Sequence, residues 1–224
     1  MKRPYPFNHL AAVRHLRQAD PRMAVLIAQV GRFQLPLERP QHPFHALLHA
    51  IVYQQLHASA ASAILARIKT QLGAGDFPSP AQILAAEESA LRSTGLSRQK
   101  MAAVRDLADK VAAGVVPAWE QVELLADEEI IARFTQVRGV GVWTVQMLLM
   151  FRLGRPDVLP ALDYGVRNGY RIAYRKRRLP TSKELAQVGE RWRPYRSVAS
   201  WYLWRAVDLQ RQAKATPPRV KPAR

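Results

Sequence analysis

The chain contains no cysteine among its 224 residues. Disulfides, a thiol nucleophile, thiolate zinc sites and a cysteine-held iron–sulfur cluster are therefore excluded. No apolar run approaches the roughly 20 residues a helix needs to span a bilayer. The start, Met1-Lys2-Arg3-Pro4-Tyr5-Pro6, lacks the apolar stretch of a signal peptide, so a cytoplasmic protein is the default expectation. Acidic residues are scarce: 17 Asp and Glu stand against 34 Lys and Arg, a formal net charge of +17. A compact domain so charged repels itself unless a polyanion neutralises it. Nucleic acid is the leading partner, an anionic membrane surface the second, and a bare preference for arginine the bland alternative. Sustained strand alternation is missing too, which leaves an all-α reading.

Apolar residues make up 48% of the chain, enough for a real core. The length suits one large domain or two small lobes sharing a cleft. Short helices cut by Pro and Gly are expected over residues 9–17, 22–30, 44–55, 58–72 and 98–113. Further helices are expected over residues 127–135, 142–151, 163–174, 182–192 and 197–212. Asp20-Pro21 reads as a cap and first-turn proline, Ser97 opens another helix, and Ser79-Pro80 starts a further segment. Three prolines make residues 31–43 a loop, and residues 213–224 read as a disordered basic tail.

The most informative stretch is Val137-Arg138-Gly139-Val140-Gly141-Val142-Trp143-Thr144. Two glycines in a tight turn between helices permit φ > 0 or close backbone approach. Gly141 stands just before a helix start, where free N–H groups and the positive helix end can hold a phosphate. A plain structural turn would need the same glycines. Twenty residues after Trp143 comes Asp163, in Leu159-Pro160-Ala161-Leu162-Asp163-Tyr164-Gly165-Val166-Arg167. Asp is also a favoured N-cap, and a helix follows it.

Together these segments resemble the helix-hairpin-helix superfamily of DNA glycosylases, and within it the alkyladenine branch of 3-methyladenine DNA glycosylase II type. Three further segments share the likeness: Ile51-Val52-Tyr53-Gln54-Gln55-Leu56, Gly95-Leu96-Ser97 with Lys100, and Trp192-Arg193-Pro194-Tyr195-Arg196-Ser197 running to Trp204. The resemblance covers roughly residues 40–210. It implies a two-lobed helical fold with the active-site cleft between the lobes, lacking the N-terminal β domain of larger relatives. Residues 1–40 would complete one lobe, residues 41–212 would form the core, and the tail would follow.

The resemblance also implies roles. Asp163 would be the catalytic carboxylate, stabilising positive charge that develops on the sugar as the glycosidic bond breaks. Trp143 stands where strand-cleaving relatives carry a Schiff-base lysine, so a monofunctional hydrolase is implied, with no lyase activity. Trp143, Trp204, Tyr53 and Tyr164 would line an aromatic pocket suited to cationic alkylated purines such as 3-methyladenine and 7-methylguanine. Leu56 would be the wedge that fills the gap left by a flipped base, and Gln54 and Gln55 would contact the bases at the lesion. Backbone N–H groups of Gly139, Gly141 and Thr144, and the side chains of Arg138, Arg98 and Lys100, would meet phosphates. The carbonyls of Thr135, Val137 and Val140 would hold a monovalent cation, Na+ or K+, with no other cofactor required. Core packing remains open for Trp143 and Leu56. The six histidines are not read as a transition-metal site. The expected partner is damaged double-stranded DNA and the expected state a monomer. A non-catalytic DNA-gripping hairpin module, or a glycosylase for a neutral lesion such as uracil, remain the competing readings.

Overall fold

The computed structural model describes residues 4–38 and 40–215, and all regular structure among them is helical. In chain order come α1 (His9–Ala19) and α2 (Pro21–Val30), then α3 (Pro43–Tyr53), α4 (Ala58–Leu72), α5 (Pro80–Ala85) and α6 (Glu88–Ser93). Next are α7 (Arg98–Ala112), α8 (Trp119–Val122), α9 (Asp127–Phe134) and α10 (Val142–Leu148), which runs into a π-helical turn, Leu149–Leu153. The last three are α11 (Tyr164–Ala173), α12 (Ser182–Gly189), followed by a 3-10 turn, Glu190–Trp192, and α13 (Arg196–Ala215). Two compact units divide the chain: Met1–Leu37 with Gly154–Arg224, and Glu38–Leu153.

In the first unit, α1, α2, α11, α12 and α13 bury Leu16, Met23, Ile27, Trp192, Tyr202 and Leu203. Asp20 sits at the middle of this apolar mass at 1% exposure. Its Oδ1 caps α2 by accepting from the Arg22 and Met23 N–H groups at 3.0 and 3.2 Å. Its Oδ2 accepts from the Tyr174 hydroxyl at 2.6 Å and the Trp192 indole N–H at 3.0 Å. Four donors thus meet the cost of burying one carboxylate. Burial, reinforced by that bond to Asp20, pushes the Tyr174 hydroxyl pKa up. α11 lies hard against α13 because Gly169 has no side chain. A Cβ there would fall 1.9 Å from the Leu203 carbonyl oxygen.

The second unit, α3 to α10 with the π turn, buries Phe44, Leu47, Leu48, Ile51, Ile68, Leu107 and Phe134. The Ser97 hydroxyl caps α7 from the Lys100 N–H, and Ser79 with Gln82 forms a capping box on α5.

Three expectations are corrected. The helix expected over residues 44–55 stops at Tyr53, because Gln55 takes φ +55° and turns the chain toward α4. The helix expected over residues 142–151 is α-helical only to Leu148 and then widens. α13 continues to Ala215, so residues 213–215 of the expected tail are helical, and the remainder lies outside the described residues. Two short helices, α6 and α8, were not expected at all.

Candidate functional site

Asp163 is the N-cap of α11. Its Oδ1 accepts from the Val166 N–H at 2.7 Å and from the Trp204 indole N–H at 2.9 Å. Capping and a second, charge-assisted hydrogen bond therefore converge on one half-buried oxygen. The loop that delivers Asp163 is pinned at its start. Arg196 forks onto Asp157, with Nε 2.8 Å from Oδ1 and Nη2 3.0 Å from Oδ2. The Ser197 hydroxyl donates to the Arg155 carbonyl at 2.6 Å and accepts from the Val158 N–H at 2.9 Å. The Arg196-Ser197 pair thus acts on the segment upstream of the carboxylate. Gly165 leaves the space in which Trp204 approaches, since a Cβ there would lie 2.8 Å from the Trp204 Cδ1. Tyr164, at 68% exposure, points outward. Trp201 and Tyr202 are buried core residues.

In the Glu38–Leu153 unit, the hairpin between α9 and α10 turns at Gly139, whose φ is +77°. Only here does the hairpin use left-handed backbone. Gly141 has φ −94° and ψ 169°, a conformation any residue adopts, and a Cβ there would meet nothing within 4 Å. Conformation does not require this second glycine, contrary to the φ > 0 alternative; open approach to the start of α10 is what it provides. No side chain caps that start. The Arg138 N–H donates to Asp106 at 2.7 Å, while its side chain is exposed. The Thr135 hydroxyl donates back to the Ile131 carbonyl at 2.7 Å, and the Val137 carbonyl accepts the Val140 N–H at 3.0 Å.

The turn after α3 is fastened to the hairpin. The Gln54 side-chain amide donates to the Gly139 carbonyl at 2.9 Å. Lys100 Nζ donates to the carbonyls of Val52 and Gln54 at 2.7 and 2.9 Å. Lys100 is thus committed to the orphan carbonyls at the end of α3, a correction to its reading as a phosphate partner. Burial lowers its pKa. Gln55 and Leu56 form the exposed tip, with Leu56 at 40% exposure, so the core reading of Leu56 falls.

A hollow of about 550 Å³ opens in the same unit, lined among others by Tyr53, Gln55, Trp143, Thr144, Met147 and Arg152. Its walls are mostly apolar, and Trp143, 46% exposed, is not a core residue. Tyr53 stacks on His49 with ring centroids 4.1 Å apart. Burial, with the Arg152 charge next, lowers the His49 pKa, so a neutral imidazole backs the tyrosine. Sequence reading missed His49, Met147 and Arg152. A helical projection of α3 and α10 would have placed the first two beside Tyr53 and Trp143. His45 and His49 stand four residues apart, a spacing that suits a metal and that the reading passed over. His45 instead stacks on Phe77, and no metal-holding group of three His, Cys, Asp or Glu occurs among the described residues.

A profile described as HhH-GPD superfamily base excision DNA repair protein matches residues 48–194. The chain is 37% identical over 207 residues to DNA-3-methyladenine glycosylase 1 of Schizosaccharomyces pombe, covering 92% of this chain and 90% of that protein. The solved complex of the S. pombe 3-methyladenine DNA glycosylase with abasic DNA is similar in fold, with a TM-score of 0.77 over 87% of this chain and 95% of that one. A DNA-3-methyladenine glycosidase from Bacillus halodurans, 32% identical, superposes with a TM-score of 0.82 over 95% and 94% of the two chains.

Proposed function

The chain belongs to the HhH-GPD superfamily of base excision DNA repair proteins, and on that footing we propose that it is a monofunctional DNA glycosylase for alkylated bases. Its substrates are cationic lesions of the 3-methyladenine and 7-methylguanine type in double-stranded DNA. The observation that carries this reading is the Asp163 carboxylate, fixed by N–H donors at 2.7 and 2.9 Å. A carboxylate held before the reaction begins costs no reorganisation as positive charge grows on the sugar. The bond from C1′ to the base nitrogen breaks, and its electron pair leaves with the base, cancelling the formal charge of the ring. Water adds its oxygen to C1′ and releases a proton. The base is already an activated leaving group, so little acid assistance is needed.

The aromatic hollow of the second unit receives the flipped base, with Trp143 and Tyr53 supplying faces that attract a cationic ring. Trp204 works instead through its N–H on Asp163, and Tyr164 is assigned no pocket role. Leu56, exposed on the tip after α3, is the wedge, and Gln55 stands beside it. The hairpin N–H groups at Gly139, Gly141 and Thr144, with Arg138, hold phosphates. The carbonyls of Thr135, Val137 and Val140 suit a hard monovalent cation, since a carbonyl such as that of Val137 keeps a lone pair beyond its turn bond. That ion, when bound, would offset the repulsion between carbonyl dipoles and phosphate. Among the described residues no helix is long and apolar enough to cross a membrane. We place the protein with DNA in the cytoplasm, at the nucleoid in a bacterium, acting as a monomer.

A panel of duplexes, each carrying one lesion, tests the proposal. Excision of 7-methylguanine or 3-methyladenine should leave an abasic site in an unbroken strand. Borohydride should trap no protein on DNA, because Trp143 cannot form an imine. Excision confined to uracil or oxidised purines would overturn the assignment, and a trapped adduct would overturn its monofunctional part.

A further inference from the structure

The hollow in the Glu38–Leu153 unit extends beyond what a methylated ring occupies. Its volume of about 550 Å³ lies in the range that takes a drug-sized ligand. Trp143 and Arg152 both line it, nine residues apart along α10 and its π turn. That separation is roughly 13 Å of helix axis. In an uninterrupted α-helix, residues nine apart point to opposite sides. The π turn, Leu149–Leu153, rotates the backbone less per residue and swings Arg152 back toward the lining face.

Arg152 is only partly used by the protein. Its Nη1 donates to the Glu38 carbonyl at 2.7 Å and stands 3.9 Å from the Glu38 carboxylate, which is mostly in water. Its Nε and Nη2 donate to no described residue. A half-buried guanidinium with two spare nitrogens, set in apolar walls, is built to receive an acceptor that arrives from outside. Between it and Trp143 run Met147, Leu148 and Phe151, faced by Ala46, Leu47 and Ala50, which offer an alkyl chain a dry path. A cationic methylated ring gains nothing from that charge. A cationic ring carrying an anionic arm gains at both ends.

We propose that the hollow selects purines whose N-alkyl arm ends in a carboxylate, the arm lying along Met147, Leu148 and Phe151 and the carboxylate pairing with Arg152. This rests on the reading that the hollow receives the flipped base. The reaction is the same hydrolysis, with the arm leaving on the base.

Three duplexes test it, each with one 7-methylguanine, 7-pentylguanine or 7-(4-carboxybutyl)guanine, in single-turnover excision by the wild type, Arg152→Gln and Arg152→Lys. The wild type should excise the carboxybutyl lesion about tenfold faster than the pentyl one, the worth of a hydrogen bond between charged groups. Arg152→Gln should bring the ratio of carboxylate-armed to plain-alkyl excision down to about one, whatever it does to 7-methylguanine, and Arg152→Lys should keep part of the preference. No wild-type preference, or an equal loss on all three lesions in Arg152→Gln, would overturn the inference. Calorimetric titration with the free bases reads the same contact without catalysis. 7-(4-Carboxybutyl)guanine should bind more tightly than 7-pentylguanine, and equal affinities would overturn the inference. A wild type that excises none of the lesions would sink the glycosylase proposal, and the titration would still decide this one.

Discussion

Replacing Gly165 with alanine adds one methyl group beside the two side chains on which the proposed chemistry depends. The new carbon would lie 2.8 Å from Trp204 Cδ1, 3.0 Å from Trp204 Nε1 and 3.0 Å from Asp163 Oδ1. Something must move. The carboxylate is held from the other side by the Val166 N–H at 2.7 Å, so the indole yields and its 2.9 Å bond to Asp163 is lost. A hydrogen bond to a charged acceptor contributes about 1.5–3 kcal/mol. If that amount is expressed in the transition state, excision slows by roughly 10- to 100-fold. Stability should change less. Alanine is favoured over glycine in a helix by about 1 kcal/mol, which offsets part of the roughly 1–3 kcal/mol cost of overpacking. Single-turnover excision of 7-methylguanine, with thermal melting alongside, measures both. Trp204→Phe removes the same N–H without adding volume and should lose a similar factor. The double variant should lose little more, because both changes break one interaction. A folded Gly165→Ala variant that excises at the wild-type rate would refute the idea that Trp204 positions Asp163.

Asp20→Ala strands the Tyr174 and Trp192 donors and uncaps α2, and should cost about 3 kcal/mol or more in urea unfolding; a loss within experimental error would contradict its central place in the core. DNA affinity should fall steeply with salt, and Arg138→Ala should reduce the slope by about one while Lys100→Met leaves it unchanged. An equal reduction by Lys100→Met would restore lysine as a phosphate partner. His42, His45 and His49 titrate below the ordinary histidine value, chiefly because burial disfavours the imidazolium. The unfolded chain then binds more protons than the folded one near pH 6. Their contribution is complete above about 6.5 and is lost as pH falls through that value toward the lowered ones. The melting temperature should drop between neutral pH and pH 5, and drop less in a His45→Gln/His49→Gln variant. A flat profile for the wild type would count against it.

Signals with a local physical cause were readable in the sequence. Asp20-Pro21 and Ser97 announce helix starts through side chains that reach their own backbone, and both caps form. Gly139 in a tight turn takes the left-handed conformation its lack of a Cβ permits. Asp163 was legible as an N-cap ahead of a helix, and it is both that cap and the hydrogen-bond acceptor for Trp204, a contact that nothing local announces. What escaped depends on tertiary contacts. Nothing local marks Gln55 as left-handed; Lys100 and Gln54 tie the turn down from α7 and to the hairpin. The apolar run after Gly141 gives no sign of a π turn, because periodicity cannot register one extra residue per turn. Arg152 was therefore invisible as a lining residue, since a regular helix would turn it away from Trp143. Tyr164, expected as a pocket aromatic, is exposed, because it stands on the solvent side of the first turn of α11.

In the proposed reaction the charge of Asp163, and not its cap, carries the chemistry. Asp163→Asn isolates that charge, because an amide oxygen can still accept from the Val166 N–H and the Trp204 indole, and Asn caps a helix about as well as Asp. The measurement is single-turnover excision of 7-methylguanine by this variant, with melting temperature and binding to abasic duplex recorded on the same preparation. The expected result is a folded protein that still binds DNA and excises on the order of 10²–10³-fold more slowly. A folded variant that excises at the wild-type rate would reduce Asp163 to a cap and remove the basis of the proposed reaction.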